Sequence, residues 1–258
     1  MSTKNSITDV NCVFTKDGLT TFLVNLQDLA KINKDHTVKV IFDHDKTLMY
    51  TLNGATIFKT CQLDNKDLFS IFPDEFKEQI SMMILDADKF VKRMAFYRDS
   101  EEVKATLGFR KNYSGQNYVY YFKANDKKLK MSIVCGEQNK LDVITRTQIQ
   151  SKVDAPSDFV FNIDIEKLQK IKKLSALYPD DTTLTIRIKS NKLFFEEEDK
   201  WSMHVDDVES ENASYRFTKK YINSINNSNS VKIEMKGLFM TISNETVLLM
   251  IGLEVSDF

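Results

Sequence analysis

Four copies of one unit run along this chain, and that repetition constrains its fold more than any other feature. Each copy is a short amphipathic helix with basic residues on its polar face, followed by two or three alternating strands. The helices fall at residues 19–33, 86–97, 164–178 and 217–226, and their strands at 38–61, 103–135, 183–205 and 231–253. Self-similarity on this scale outranks local readings, because each copy has to bury its apolar face against a neighbour. The pattern predicts a symmetric scaffold that presents lysines, not a catalytic pocket.

The strands follow from alternation and from β-branched or aromatic enrichment. Residues 38–42 lead to 47–52, and Asn53-Gly54 turns the chain into 55–61. Asn-Gly is a strong hairpin signal. Strands at 118–123 and 128–134 flank Asn125-Asp126, and those at 183–189 and 193–196 flank Ser190-Asn191. Residues 231–235, 238–242 and 247–251 form a meander. Strands joined by turns this short are antiparallel. Each helix carries one apolar stripe, for example Phe90 and Met94 in the second copy or Leu168, Ile171 and Leu174 in the third. One stripe means that each helix lies on a sheet. Residues 68–83 interrupt the repeat. Phe69, Ile71, Phe72, Phe76 and Ile80 predict a small helical insertion there. Residues 139–158 are mostly polar and contain Ala155-Pro156-Ser157, which predicts a connector between two domains at 1–138 and 159–258.

Composition excludes several classes. With 258 residues, 42% of them hydrophobic, the chain can bury a real core. It has seven glycines and no G-x-x-x-x-G-K or G-x-G-x-x-G string, so no phosphate-cradling loop is expected. Cys12, Cys61 and Cys135 are far apart and form no C-x-x-C pair, which predicts reduced thiols and no zinc site or disulfide framework. The start of the chain has no apolar signal core and no run long enough to span a bilayer, so a cytoplasmic protein with no membrane partner is expected. No cofactor and no metal is expected.

The net charge of −1 gives no overall field toward nucleic acid, so any such attraction must be segregated onto one surface. Residues 19–34, 86–99, 164–178 and 217–229 hold 12 Lys/Arg and 6 Asp/Glu, a balance of +6 that leaves −7 for the rest of the chain. A solvated lysine face is ordinary on one helix. The same sign on four equivalent helices points to one shared anionic partner.

With that pattern in view, the chain resembles a DNA sliding clamp of the PCNA-like superfamily, and among those the DNA polymerase clamps of T-even-type bacteriophages. The resemblance is one of pattern over nearly the whole length. It is sharpest at Leu19-Thr20-Thr21-Phe22-Leu23 through Lys31-Ile32-Asn33, at Ile165-Glu166-Lys167-Leu168-Gln169 through Lys192-Leu193-Phe194, and at the acidic-aromatic Val255-Ser256-Asp257-Phe258. It implies an α+β, two-domain clamp fold in which each domain is two helix-plus-antiparallel-strand halves. Three chains would form a closed ring, a homotrimer, because four copies make two domains. The implied function is to encircle duplex DNA without reading its sequence and to tether the DNA polymerase after a clamp-loader ATPase complex has placed the ring. A phage clamp would act in the host cell cytoplasm. The resemblance makes Lys31, Lys89, Lys92, Arg93, Lys170, Lys173, Lys219 and Lys220 the DNA-facing candidates. It places a partner-peptide pocket at Leu141, Val143, Ile144, Leu253 and Val255. The segment at 68–83 departs from the T-even pattern.

The rival reading is an enzyme. Ile41-Phe42-Asp43-His44-Asp45-Lys46-Thr47 resembles the D-x-D-x-T motif of haloacid-dehalogenase-type phosphatases, with Asp43 as nucleophile and Asp45 as general acid/base beside Mg²⁺. That chemistry needs a parallel sheet with crossover helices, whereas tight hairpins follow Asp45 here. Glu196 to Asp199 reads as a solvated acidic hairpin, with Trp201 packed on a sheet face.

Overall fold

Three of the four helices start on an oxygen-bearing side chain that caps them, and in the first and third copies that residue also ends the preceding strand. The computed structural model describes residues 9–54, 57–73, 80–111, 117–136, 151–224 and 230–253. Strand β1 (Val10–Thr15) ends on Thr15, whose Oγ1 accepts the N–H of Gly18 at 2.9 Å and so caps α1 (Lys16–Ala30). An uncapped helix start leaves orphan donors, and an oxygen side chain at this place satisfies one of them. Three strands follow: β2 (Val38–Phe42), β3 (Lys46–Asn53) and β4 (Ile57–Asp64). A one-turn helix, α2 (Asn65–Leu68), and β5 (Phe69–Ile71) complete this copy.

The second copy runs from β6 (Ile80–Ile84) to α3 (Ala87–Met94), capped by Asp86 through the Lys89 N–H at 2.9 Å. It continues through β7 (Glu102–Lys111), β8 (Asn117–Asn125) and β9 (Lys130–Val134). The third is β10 (Phe159–Asp164), α4 (Ile165–Ser175), β11 (Thr183–Lys189), β12 (Lys192–Glu197) and β13 (Trp201–Asp207). The Asp164 carboxylate caps α4 by accepting the Lys167 N–H at 2.7 Å. In the fourth copy, β14 (Ala213–Thr218) leads to a 3-10 helix (Lys219–Ser224), then β15 (Ser230–Lys236), β16 (Phe239–Ser243) and β17 (Val247–Gly252). The unit is therefore strand, helix, three strands, with a leading strand beyond the helix-plus-strands pattern read from the sequence.

The chain divides into two compact units, residues 1–53 with 60–143, and residues 54–59 with 144–258. Within each unit the two copies exchange their leading strands. In the first, β1 pairs antiparallel with β7 of the other copy (Val10↔Leu107 to Thr15↔Glu102), and β6 pairs with β2 (Val38↔Ile84 to Phe42↔Ile80). In the second, β10 pairs with β15 (Phe161↔Ile233) and β14 with β11 (Thr185↔Arg216). The strand order in the first unit is β4-β3-β2-β6-β8-β7-β1-β5, with β9 on β8. The second unit has two sheets, β10-β15-β16-β17 and β13-β12-β11-β14. One contact in the first unit departs from the antiparallel expectation, because β6 meets β8 in parallel at Met82↔Val119.

Helix stripes and inward strand residues form one core per unit. Phe14, Leu19, Phe22 and Leu23 join Val38, Val40, Phe42, Phe90 and Phe122 in the first, with the Phe14–Phe22 and Phe90–Phe122 rings 5.4 and 5.2 Å apart. Leu168, Ile171, Leu184, Ile186, Phe195, Phe217 and Ile233 fill the second. Burying a side chain of this size contributes roughly 1.5–3 kcal/mol, so these stripes rather than helix propensity hold the short helices in place. Two hairpin turns have the backbone their residues favour. Ser190 and Asn191 both take positive φ (52° and 60°), the geometry of a type I′ turn, and Gly54 sits at φ 61°.

Three expectations change. Among the described residues of the segment at 68–83, the expected helical insertion is not seen: Phe69–Ile71 and Ile80–Ile84 are strands, and helix is found only at Asn65–Leu68. Phe69 packs into the Phe14 and Phe72 rings, at 4.4 and 4.8 Å, because alternation and aromatic content suit a pleated edge. Phe76 lies outside the described residues. The fourth helix is a 3-10 helix starting at Lys219, and Phe217 belongs to β14. In α4, Ser175 rather than Leu174 completes the buried stripe.

Candidate nucleic-acid interface

α3 and α4 present the same basic pattern from equivalent positions. Aligning the segments that end them, Ala95-Phe96-Tyr97 and Ala176-Leu177-Tyr178, superposes Lys89 and Lys92 on Lys170 and Lys173. All four side chains are exposed, and a spacing of three puts each pair on one helix face. No acidic group of the described residues lies within ion-pair distance of these four. Arg93 is half-buried. Lys92, Arg93 and Lys173 sit in the last turns of their helices, where the backbone dipole favours cations. Lys31 is exposed beyond the end of α1, 3.9 Å from the Asp28 carboxylate. Lys220 is exposed, with its ammonium 4.9 Å from the Tyr221 ring centroid.

Lys219 does not join this set. Its side chain is fully buried, so it cannot face DNA as expected. The Nζ donates to the carbonyls of Ser175 at 2.7 Å and Tyr178 at 2.8 Å, at the end of α4, and lies 3.6 Å from the Glu197 carboxylate. The same carboxylate accepts from Thr182 Oγ1 and Lys200 Nζ, each at 2.7 Å, and from Trp201 Nε1 at 3.1 Å. Burial pushes the Glu197 pKa up, but hydrogen bonds from Lys200, Thr182 and Trp201 and the Lys219 charge outweigh it, so the group ends below its ordinary value. The acidic hairpin is thus only partly solvated. Glu197 is its buried anchor, Glu196 is half-buried at 3.0 Å from Arg187, and Glu198 and Asp199 are exposed. No local signal separates Lys219 from Lys220, since the acceptors lie 40 residues or more upstream in the chain.

Of the partner-pocket candidates, Leu141, Val143, Ile144 and Val255 lie outside the described residues. Leu253 is half-buried, and its N–H donates to the Leu238 carbonyl at 2.9 Å.

The Asp43–Asp45 segment is a hairpin turn. The Asp43 N–H donates to the Lys46 carbonyl at 2.9 Å, β2 and β3 are antiparallel, and Asn65 donates to the carbonyls of Asp43 and His44 at 2.7 and 3.1 Å. A phosphatase nucleophile on a parallel strand before a crossover helix has no counterpart here. Among the described residues, no group of three or more His, Cys, Asp or Glu is placed to hold a metal ion. The three cysteines are buried, and burial pushes the thiols of Cys12 and Cys135 up to about 12. No helix of the described residues is long and apolar enough to cross a membrane.

The chain has the fold of DNA sliding clamps. The beta subunit of DNA polymerase III from Pseudomonas aeruginosa, a sliding clamp, superposes with a TM-score of 0.71 at 10% identity over 97% of this chain and 66% of its own. The Borrelia burgdorferi beta subunit gives 0.69 at 9% identity over 96% and 66%. PCNA from Thermococcus kodakaraensis gives 0.64 at 14% identity, over 96% of this chain and 100% of that one. The chain thus spans about two thirds of the bacterial beta subunits and the whole of a PCNA. No family model matches the sequence, and no curated protein matches it.

Proposed function

We propose that this protein is a sliding clamp, a ring that encircles duplex DNA and tethers a DNA polymerase, in the setting of phage replication. The observation that carries the reading is the clamp fold over 96% of the chain, combined with two equivalent helices that each expose a lysine pair, Lys89/Lys92 and Lys170/Lys173. Exposed lysines on helix faces suit phosphate contacts that hold a duplex without reading bases. Such contacts are weak and salt-sensitive, as sliding requires. A ring converts repeated rebinding of the polymerase into a local event at high effective concentration.

Four copies in two domains, with residues 1–138 and 159–258 joined by a connector at 139–158, fit a trimer, and complete coverage of a PCNA-length chain supports that count. A clamp-loader ATPase complex would open the ring. The Helicobacter pylori beta clamp has been crystallised with a DNA ligase peptide. By analogy, Leu141, Val143, Ile144, Leu253 and Val255 would receive an apolar peptide from the polymerase or another partner.

The test is topological. Protein loaded on nicked circular DNA should stay bound, and should run off once the circle is linearised. Equal retention on both forms sinks the proposal. Replacing both Lys170 and Lys173 with Glu should lower the salt-dependence slope of DNA binding by about 2, at roughly 0.9 per phosphate contact. An unchanged slope means that α4 does not face the duplex.

A further inference from the structure

We propose that the open edge of β10 is a docking groove for an extended basic peptide of a partner protein, which adds there as a further strand. The proposal goes beyond the ring reading above and does not rest on it.

The first and third copies treat the same edge differently. Thr15 and Asp164 end β1 and β10 and cap the helices that follow, so the strands align from Val10 on Phe159 to Thr15 on Asp164. Each gives one side to the first strand after the helix of the copy it pairs with, β7 or β15. The other side of β1 takes β5, antiparallel, at Val13↔Ile71 and Phe14↔Phe69. β10 instead ends its sheet, and no strand of the described residues pairs with it on that side. The cause is the link after the third strand. Residues 65–79 join β4 to β6 and are long enough to supply α2 and β5. Residues 208–212 join β13 to β14, and both ends of this link are tied to the β11–β12 turn. The Val208 N–H donates to the Asn191 carbonyl at 2.9 Å, and Asn212 Oδ1 accepts the Ser190 N–H at 3.0 Å. Open edges are templates for a strand from another chain. β10 has neither Lys nor Pro, the residues that commonly blunt an edge.

Charge selects the guest. A cavity of about 550 Å³ runs along this edge, between β10 and the segment from Asp206 to Glu209. Asp158, Asp206 and Glu209 line it and are exposed, and among the described residues no Lys or Arg lines it. Phe159 is half-buried in its wall, and Val160 is 43% exposed. The carboxylates repel nucleic acid, which separates this groove from the lysine pairs on α3 and α4. Leu253, the partner-pocket candidate among the described residues, does not line it.

Apolar side chains beside carboxylates suit a guest with both characters. A strand alternates its side chains between two faces, so one set continues the row of Phe159 and Phe161. Lys and Arg have long stems that carry their charge to the carboxylates. β10 has six residues, so the guest is a segment of about that length, and it runs antiparallel as β5 does on β1.

The experiment titrates the full chain into a fluorescent six-residue peptide of alternating lysine and valine with blocked ends, read by anisotropy. The peptide should bind, and more weakly at high salt. A version with glutamate for lysine, and one with alternate backbone nitrogens methylated, should each bind at least about tenfold more weakly. The variant carrying both Asp206→Lys and Glu209→Lys should lose about tenfold or more for the parent peptide, and circular dichroism should show it folded. A glutamate peptide that binds equally, methylation without effect, or a double variant of parent affinity would each overturn the groove. Absence of binding would overturn it too, because the edge is then closed or filled by the chain itself. Displacement of the peptide as the chain associates at high concentration would assign the edge to a second copy instead. Retention on circular DNA, measured with the same samples, tests the clamp reading separately, since either result can fail while the other stands.

Discussion

Lys219→Met should cost the second unit about 3 kcal/mol. Lys219 is fully buried, as is Glu197, and its ammonium has three partners: the carbonyls of Ser175 and Tyr178 and the Glu197 carboxylate. Methionine matches its length, so packing is largely kept and the loss is electrostatic. Removing one member of a buried ion pair costs about 3–5 kcal/mol, because an uncompensated charge is left behind. Glu197 would retain Lys200, Thr182 and Trp201, which places the loss at the low end of that range. Two helix-end carbonyls would also lose their donor, and Tyr178 is half-buried, so water can reach part of that deficit. The chain has one tryptophan, Trp201, whose indole N–H donates to Glu197, so urea unfolding followed by its fluorescence reports on this network. At an m-value of about 2 kcal/mol/M the midpoint should fall by about 1.5 M. Lys220→Met, at an exposed site, should move it by less than about 0.5 kcal/mol. A Lys219→Met midpoint equal to the parent's, together with a DNA salt slope reduced by about 1, would refute the buried assignment and return Lys219 to the DNA face.

Two further outcomes follow from the same geometry. The folded pKa of Glu197 lies below its unfolded value of 4.5, so the stability it contributes is present above pH 4.5 and is lost as pH falls through the folded value. Trp201 fluorescence during acid titration should show the second unit loosening in that window, and Glu197→Gln should flatten the dependence; an unaltered profile in the variant would assign the acid transition to other groups. Gly18 sits in α1 where an added Cβ would lie 2.1 Å from the Leu68 carbonyl oxygen. Gly18→Ala should therefore destabilise the first unit by about 1–3 kcal/mol, despite the gain of up to about 1 kcal/mol in helix propensity, and a raised thermal midpoint would show that this approach is looser.

Much of the local structure is legible in the sequence because its causes are local. The stripe Phe90–Met94, the turns at Asn53-Gly54 and Ser190-Asn191, and the meander at 231–251 depend on spacing and on backbone preferences within a few residues. The lysine pairs at 89/92 and 170/173 are legible for the same reason, since a spacing of three fixes a face once the helix is granted. Residues 69–71 and 80–84 mislead because a short apolar run fits a helix or a strand equally, and only their partners, β1 and β2, decide between them.

The sequence by itself determined the repeating unit, the sign of charge on its helices and the antiparallel hairpins, all of which are set by neighbours along the chain. The tertiary structure decided how the copies lock together. Val10 pairs with Leu107 and Val38 with Ile84, and Phe161 pairs with Ile233, across separations that no local preference reaches. It also decided which lysine is buried. Lys219 and Lys220 are the same residue in adjacent positions, and they differ because one reaches the carbonyls at the end of α4 and a carboxylate on β12, while the other meets solvent. A charge enters a core only where acceptors from distant segments already converge, and that convergence belongs to the fold.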